Sequence, residues 1–299
     1  MNKLGSVDSV KITAVVEDTT SKDNIWAAHG ISFYLEVNTR KKISLLFDVG
    51  PSFQLLKHNL KTLNINSSKL NYLLISHEHE DHTGALFDFL KDNKKISVVS
   101  HPDTFSFKCS LETDRYKFQG VNDYQKILKQ HQHLILTKTP LKIDRGIITS
   151  GEINRTTEFE TWKWKNYYQK KNSKYLKDNI INEQALILNL KSKGLIIITG
   201  CTHSGIINLI KHSQKITGVN KIHAIVGGFH LKIRNLSQVK QIIGELKKIN
   251  PSFIAPCHCT DSKVIKKLDD KFHLITSALG HFSAGEEITS SSLYPFRKI

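Results

Sequence analysis

The sequence predicts a mixed α/β fold in which sheets carry helices on their outer faces. Three observations point there. Short apolar, β-prone runs recur along the chain, adjacent to one another at first and separated by helical stretches later. Histidines, cysteines and carboxylates stand directly after several of these runs, which gathers polar chemistry at one edge of a sheet. The chain has 299 residues, 39% of them hydrophobic, enough for a sizeable core. The expected organisation is a single domain over 1–299 with a less regular insert at about 101–182.

Residues 10–16 are the first predicted strand, closed by a polar turn at 17–21. His29-Gly30 precedes the second, 31–37, and the third, 43–50, ends in Asp48-Val49-Gly50. Pro51-Ser52 starts a helix through about Leu63, because proline presets the helical φ in a first turn. A central strand at 71–75 feeds the loop 76–82, followed by a helix at 84–91 and a strand at 95–99. From His101 to Asn182 the patterning weakens. Residues 184–190 and 195–200 form a hairpin around Lys191-Ser192-Lys193-Gly194. A helix from about Ile206, a strand at 221–226, a helix at 236–248, a strand at 253–256 and a further helix follow, and 273–276 is the last predicted strand.

The loop Ser76-His77-Glu78-His79-Glu80-Asp81-His82 organises the rest. Imidazoles packed this closely repel when protonated and need partners when neutral, and a divalent cation resolves both problems. In a looped segment His77 and His79 point the same way, and Asp81 and His82 sit a turn further on, where a helix begins. That spacing presents two pairs of ligands to two adjacent metals. Histidines recur at later strand ends as His203, His230 and His258, delivered to the same rim. A structural zinc on Cys257 and Cys259 is the competing idea, but no second cysteine pair lies at zinc-finger spacing.

The formal net charge of +16 favours acidic partners such as phosphorylated metabolites, nucleic acid or an anionic surface. The lysines are scattered rather than blocked, so a generally Lys-rich composition accounts for the charge equally well. No apolar run is long enough to span a bilayer and no signal-peptide core opens the chain, so the expectation is a soluble, cytoplasmic protein without membrane partners. Cys109, Cys201, Cys257 and Cys259 suit reduced thiols rather than a disulfide framework. His131-Gln132-His133 reads as surface, and the segment 155–168, with Arg155, Trp162 and Trp164, mixes cations with aromatics that suit stacking on a planar ring.

His77-x-His79-x-Asp81-His82 after a hydrophobic strand resembles the signature of the metallo-β-lactamase superfamily. Gly200-Cys201-Thr202-His203, Gly227-Gly228-Phe229-His230 and Pro256-Cys257-His258-Cys259-Thr260 narrow the resemblance to its dihydropteroate synthase-related branch, over about residues 10–285. That branch includes archaeal-type 7,8-dihydropterin-6-methyl-4-(β-D-ribofuranosyl)aminobenzene 5′-phosphate synthases. The resemblance implies a four-layer αββα sandwich. It places His77 and His79 on one metal and Asp81, His82 and His258 on a second, with Asp81 and His82 in the catalytic machinery. Asp48, at the neighbouring strand end, is expected to accept a hydrogen bond from a ligand imidazole.

Two positions depart from the superfamily pattern. Asn182-Glu183 precedes the hairpin where many members carry a histidine, and Cys201 stands where they carry a bridging aspartate. His203 is the preferred replacement ligand, with Cys201 as a thiolate and His230 as a ligand or substrate contact left open. The implied cofactors are two divalent ions, zinc first, with iron or manganese fitting the same ligands. The implied substrate is a phosphorylated small molecule, touched by His230, Arg155, Trp162 and Trp164. The implied reaction joins a dihydropterin-methyl diphosphate to an aminobenzene ribofuranosyl phosphate. The alternatives are a phosphodiesterase or other phosphoester hydrolase using a metal-bound hydroxide, and a nucleic-acid-processing nuclease.

Overall fold

A computed structural model describes residues 4–20, 22–113, 115–160, 166–232, 236–275 and 282–290. Two sheets face each other. The first joins β1 (Ser9–Val16), β2 (Ser32–Asn38) and β3 (Lys42–Phe47) as an antiparallel meander. It continues through β4 (Tyr72–Leu74) and β5 (Ser97–Ser100), parallel to β3. Helices α1 (Phe53–Thr62), α2 (Glu80–Thr83) and α3 (Leu86–Asp92) fall within these parallel connections.

An insert follows. It contributes β6 (Lys108–Glu112) and β7 (Arg115–Phe118), then α4 (Tyr124–Gln130) and β8 (Leu134–Leu136), then β9 (Lys142–Asp144) and β10 (Ile147–Thr149), and last β11 (Tyr167–Lys171) and β12 (Lys174–Lys177). The second sheet then runs through β13 (Leu186–Leu190), β14 (Gly194–Thr199), β15 (Ile222–Gly228) and β16 (Phe253–Cys257). Its helices are α5 (Ile206–Thr217), α6 (Leu236–Ile249) and α7 (Ser262–Asp269), and β17 (Glu287–Thr289) closes the chain's described structure. The strand orders are β17-β1-β2-β3-β4-β5-β8, β16-β15-β14-β13-β10-β9 and, for a third sheet within the insert, β12-β11-β6-β7.

Period-two alternation makes the layers, because successive strand side chains point to opposite faces. Phe33, Leu35 and Val37 meet Leu186, Leu188, Ile196 and Ile198 between the two sheets. Leu46, Leu73 and Val98 face outward onto Leu56, Leu60 and Phe89 of α1 and α3. Ile187, Ile197 and Ile225 face outward onto Leu209, Val239 and Leu246 of α5 and α6. Helix, sheet, sheet and helix are thus stacked in four layers, and each fully buried leucine or isoleucine contributes about 1.5–3 kcal/mol.

Three expectations change. The insert holds the third sheet, whose β7 and β12 expose every residue and so show no buried alternation to read. The strand expected at 273–276 is reduced, over the described residues, to a bridge between Leu274 and Ile254, and the regular edge strand is instead β17 on β1. His131 is buried, its Nε2 at 2.9 Å from the Ile96 carbonyl oxygen, while the His133 carbonyl accepts from Val98 N at 2.8 Å. Among the described residues no helix is long and apolar enough to cross a membrane.

Candidate metal centre

Loops at the ends of β3, β4, β14, β15 and β16 converge on one rim. Asp48, Thr202, His230 and His258 each turn the chain there with φ near +50° (57°, 58°, 47° and 50°), a left-handed conformation uncommon for residues other than glycine. Such strain clusters where a structure must aim particular side chains.

The first side of the rim is the motif loop. His77 Nε2 faces His79 Nδ1 at 3.0 Å, with the two rings 4.5 Å apart. Burial, reinforced for His77 by the surrounding imidazoles, pushes both rings below the ordinary histidine range, His79 to about 4. Two neutral imidazoles therefore turn nitrogens toward each other, and His79 Nε2 is buried without a hydrogen-bond partner. The helical turn α2 carries Asp81 and His82 to the other side of the rim.

The second sheet supplies the remainder. Asp81, His82, Cys201 and His258 can bring one donor atom each within 4.8 Å of one another, as can His77, Cys201 and His203. His203 lies 4.7 Å from His77 and 4.9 Å from His79, ring to ring. Cys201, at the end of β14, belongs to both groups, and its sulfur is 3.3 Å from His82 Nε2. A Cβ at Gly200 would stand 2.5 Å from Ser76 Oγ, so a glycine lets the two strand ends approach.

Three carboxylates brace four of the imidazoles. Asp48 Oδ2 lies 2.7 Å from His82 Nδ1, and the same carboxylate accepts from Ser76 N and Oγ. Glu183 lies 3.1 Å from His203 Nδ1 and accepts from the backbone N–H groups of His203 and Ser204. Asp18 lies 2.7 Å from His258 Nδ1 and 2.8 Å from His29 Nδ1. A carboxylate on one ring nitrogen fixes the tautomer and turns the other nitrogen toward a cation, the usual support of metal-binding histidine. The donor chemistry therefore fits divalent ions.

Burial raises the carboxyls of Asp81, Asp18 and Glu183, but neighbouring imidazoles outweigh it. His82 and His258 hold Asp81 well below the usual carboxylate range, His258 and His29 do the same for Asp18, and His203 brings Glu183 to about 2. All three are anions at neutral pH.

A cleft of about 440 Å³ opens over this rim, lined by His29, His79, Asp81, Tyr167, His230 and Lys232 among others. The insert roofs it: the Tyr167 ring of β11 is 5.4 Å from His79. The roof is tied down by a buried ion cluster. Lys108 Nζ of β6 is 2.5 Å from Asp178 and 3.5 Å from Glu78, and Glu78 also accepts from the Asn182 amide. A larger cavity of about 500 Å³, between α3 and α4, carries none of these donor groups.

The wider comparisons agree. The model of the metallo-beta-lactamase superfamily matches residues 32–157. The 7,8-dihydropterin-6-methyl-4-(beta-D-ribofuranosyl)-aminobenzene-5'-phosphate synthase of Methanocaldococcus jannaschii is 34% identical over 279 residues, 90% of this chain and 94% of the relative. The chain belongs to the metallo-β-lactamase superfamily. A second relative of the same organism, an uncharacterized protein, is 30% identical over 272 residues, 89% of this chain and 97% of its own. The crystal structure of Tm1679, a metal-dependent hydrolase of the beta-lactamase superfamily, matches with a TM-score of 0.75 at 24% identity, over 93% of this chain and 98% of that one. YhfI of Bacillus subtilis, a metallo-beta-lactamase fold protein, matches at 0.52 and 11% identity, over 95% and 100%.

As a superfamily member the protein is an enzyme, and the metallo-β-lactamase fold implies divalent-metal binding. The structure gathers His77, His79, Asp81, His82, His203, His258 and Cys201 on one rim, with His230 at the cleft wall. Arg155 is placed differently: its guanidinium donates to the carbonyls of Asn179 and Ile180 and holds the segment before Glu183 rather than lining the cleft. Trp162 and Trp164 lie outside the described residues. Sequence reasoning missed Asp18, Glu183 and Lys232; Tyr167 lay inside the 155–168 segment read as suited to stacking, and Cys259 entered only with Cys257 as the competing structural zinc. Glu183 had one signal, its place immediately before the hairpin in a position already noted as unusual.

Proposed function

We propose that the protein is a two-metal transferase that joins a dihydropterin-methyl diphosphate to an aminobenzene ribofuranosyl phosphate and releases pyrophosphate. The observation that carries this reading is the 34% identity to the M. jannaschii synthase along 90% of the chain, together with a cleft in which cation and aromatic groups flank the donor sets. His77, His79 and His203 would hold one ion, and Asp81, His82 and His258 the other, with Cys201 between them in place of a bridging carboxylate. When bound, divalent ions supply charge neutralisation to phosphoryl oxygens.

The chain's own residues do the rest. Lys232 at the cleft wall pairs with substrate phosphate, and Tyr167 offers a ring face to a pterin or aryl group. The carboxylate of Asp81 stays ionised and faces the Nε2 atoms of His82 and His258, 3.6 and 3.1 Å away, while Asp48 and Asp18 orient those two rings from Nδ1. Tyr167 covers the His79 side of the cleft, where displacing water would favour attack by an arylamine over hydrolysis. In the reaction the arylamine nitrogen forms a bond to the methylene carbon as its C–O bond breaks, and the departing pyrophosphate carries the proton away.

The test is pyrophosphate release from the dihydropterin-methyl diphosphate by zinc-loaded protein, with and without the aminobenzene acceptor. Release that requires the acceptor is expected. Acceptor-independent release, or cleavage of a generic phosphodiester instead, would move the protein to the hydrolases.

A further inference from the structure

Cys259 belongs to neither donor set assigned above, yet its thiol faces the same cleft. Cys201 Sγ, an imidazole nitrogen of His230 and Cys259 Sγ lie within 4.8 Å of one another, one from each of the strand ends of β14, β15 and β16. The Cys259 sulfur accepts the His230 backbone N–H at 3.3 Å and stands 3.6 Å from the Cys201 carbonyl oxygen. Room for it is made by Gly228, where a Cβ would sit 2.6 Å from that sulfur. His230 reaches this place through a left-handed backbone, φ +47°, a conformation that persists only where packing imposes it. Cys257, two residues earlier, packs into the apolar layer between the sheets. An apolar packing role accounts for Cys257 and leaves Cys259 unexplained.

We propose that Cys201, His230 and Cys259 form a third cation position, a thiolate-rich one, that takes a soft or borderline divalent ion such as zinc. Two sulfurs and one imidazole select that class over magnesium or calcium, which prefer oxygen ligands. With Cys201 already a thiolate between the other two ions, entry of this ion releases only the Cys259 thiol proton to solvent, so charge and atoms balance. The Cys201 thiolate is shared with the two neighbouring donor sets and links the three positions. The proposal rests on the reading of this rim as a metal centre.

The experiment loads zinc or cobalt onto metal-free full-length protein, wild type and Cys259→Ser, and counts bound ions. It also reads the sulfur-to-cobalt charge-transfer absorption and maps N-ethylmaleimide labelling by mass spectrometry. Wild type should bind one ion more than Cys259→Ser, with a stronger charge-transfer band, and zinc should protect Cys259 from labelling. Equal ion counts and equal bands overturn the third position while leaving the other two intact. Failure of wild type to bind any ion would sink the metal-centre reading itself. If Cys259→Ser does not fold, equal labelling of wild-type Cys259 with and without zinc overturns the proposal by itself.

Discussion

The two sides of the rim are built in opposite ways. On the first sheet, four candidate ligands come from one six-residue stretch, His77 to His82, wound from a loop into a helical turn. On the second sheet, Cys201, His203, His230, His258 and Cys259 come from three strand ends more than fifty residues apart at the extremes. The first side is local geometry, set by the chain's own spacing. The second exists only once parallel pairing of β14, β15 and β16 has aligned their ends. A site divided this way has one half that forms with its loop and one half that depends on long-range topology.

Replacing Asp81 by Ala removes the carboxylate that faces both His82 and His258 and so strikes the junction of the two halves. Turnover should fall by more than the ~100-fold typical of losing a supporting partner, with circular dichroism unchanged. Residual activity within ten-fold of wild type would show that the halves work without that junction.

Lys108→Met tests the roof. It leaves Glu78 and Asp178 as buried anions without their cation, and breaking a buried pair this way costs about 3–5 kcal/mol. Denaturant unfolding should show the loss, and no shift in midpoint would mean that water reaches the cluster.

Asp48→Asn and Glu183→Gln compare the braces of the two sides directly. Each should weaken metal affinity by about 10–100-fold, measured by chelator competition. A larger loss for Glu183→Gln would sharpen the contrast, since Glu183 also holds the backbone of the His203 loop. Equal losses would say that the two sides are equally preorganised.

The smallest effect is expected at His223, a histidine on β15 outside the centre. Burial lowers it to about 4, and neither ring nitrogen has a hydrogen-bond partner. Below about 6.5 the unfolded chain takes up a proton that the folded chain refuses until about 4. The unfolded state then binds more protons, so stability falls as pH drops through that window. His223→Leu should flatten this part of the stability profile, and an unchanged slope would assign it to other groups.

The same contrast decided what the sequence made legible. His77 to His82 could be read as a ligand loop because four donors at fixed spacing have little other use. Sheets with helices on their outer faces could be read from the alternation of strand and helix runs, and the four-layer order came with the family resemblance; the mostly apolar Leu186 to Leu190 and Gly194 to Thr199 fit strands buried on two sides. Asp18 and Glu183 carried no comparable signal. Each is an ordinary acidic residue until the fold sets it against His258 or His203. The strands of the insert were hidden for a different reason: Tyr116, Phe118, Tyr175 and Leu176 are exposed, so apolar residues there do not mark a core. Strand β17, three residues on a sheet edge, is too short to show a period.

The tie between Lys108 and Glu78 also limits how this scaffold can be re-engineered. A loop or roof exchanged between relatives to change what the cleft accepts would bring its own residue to position 108. Unless that residue is a cation, Glu78 becomes a stranded charge inside the segment that aims His77 and His79. Grafts in this protein therefore have to be cut as matched pairs, roof and motif loop together, rather than as interchangeable cassettes.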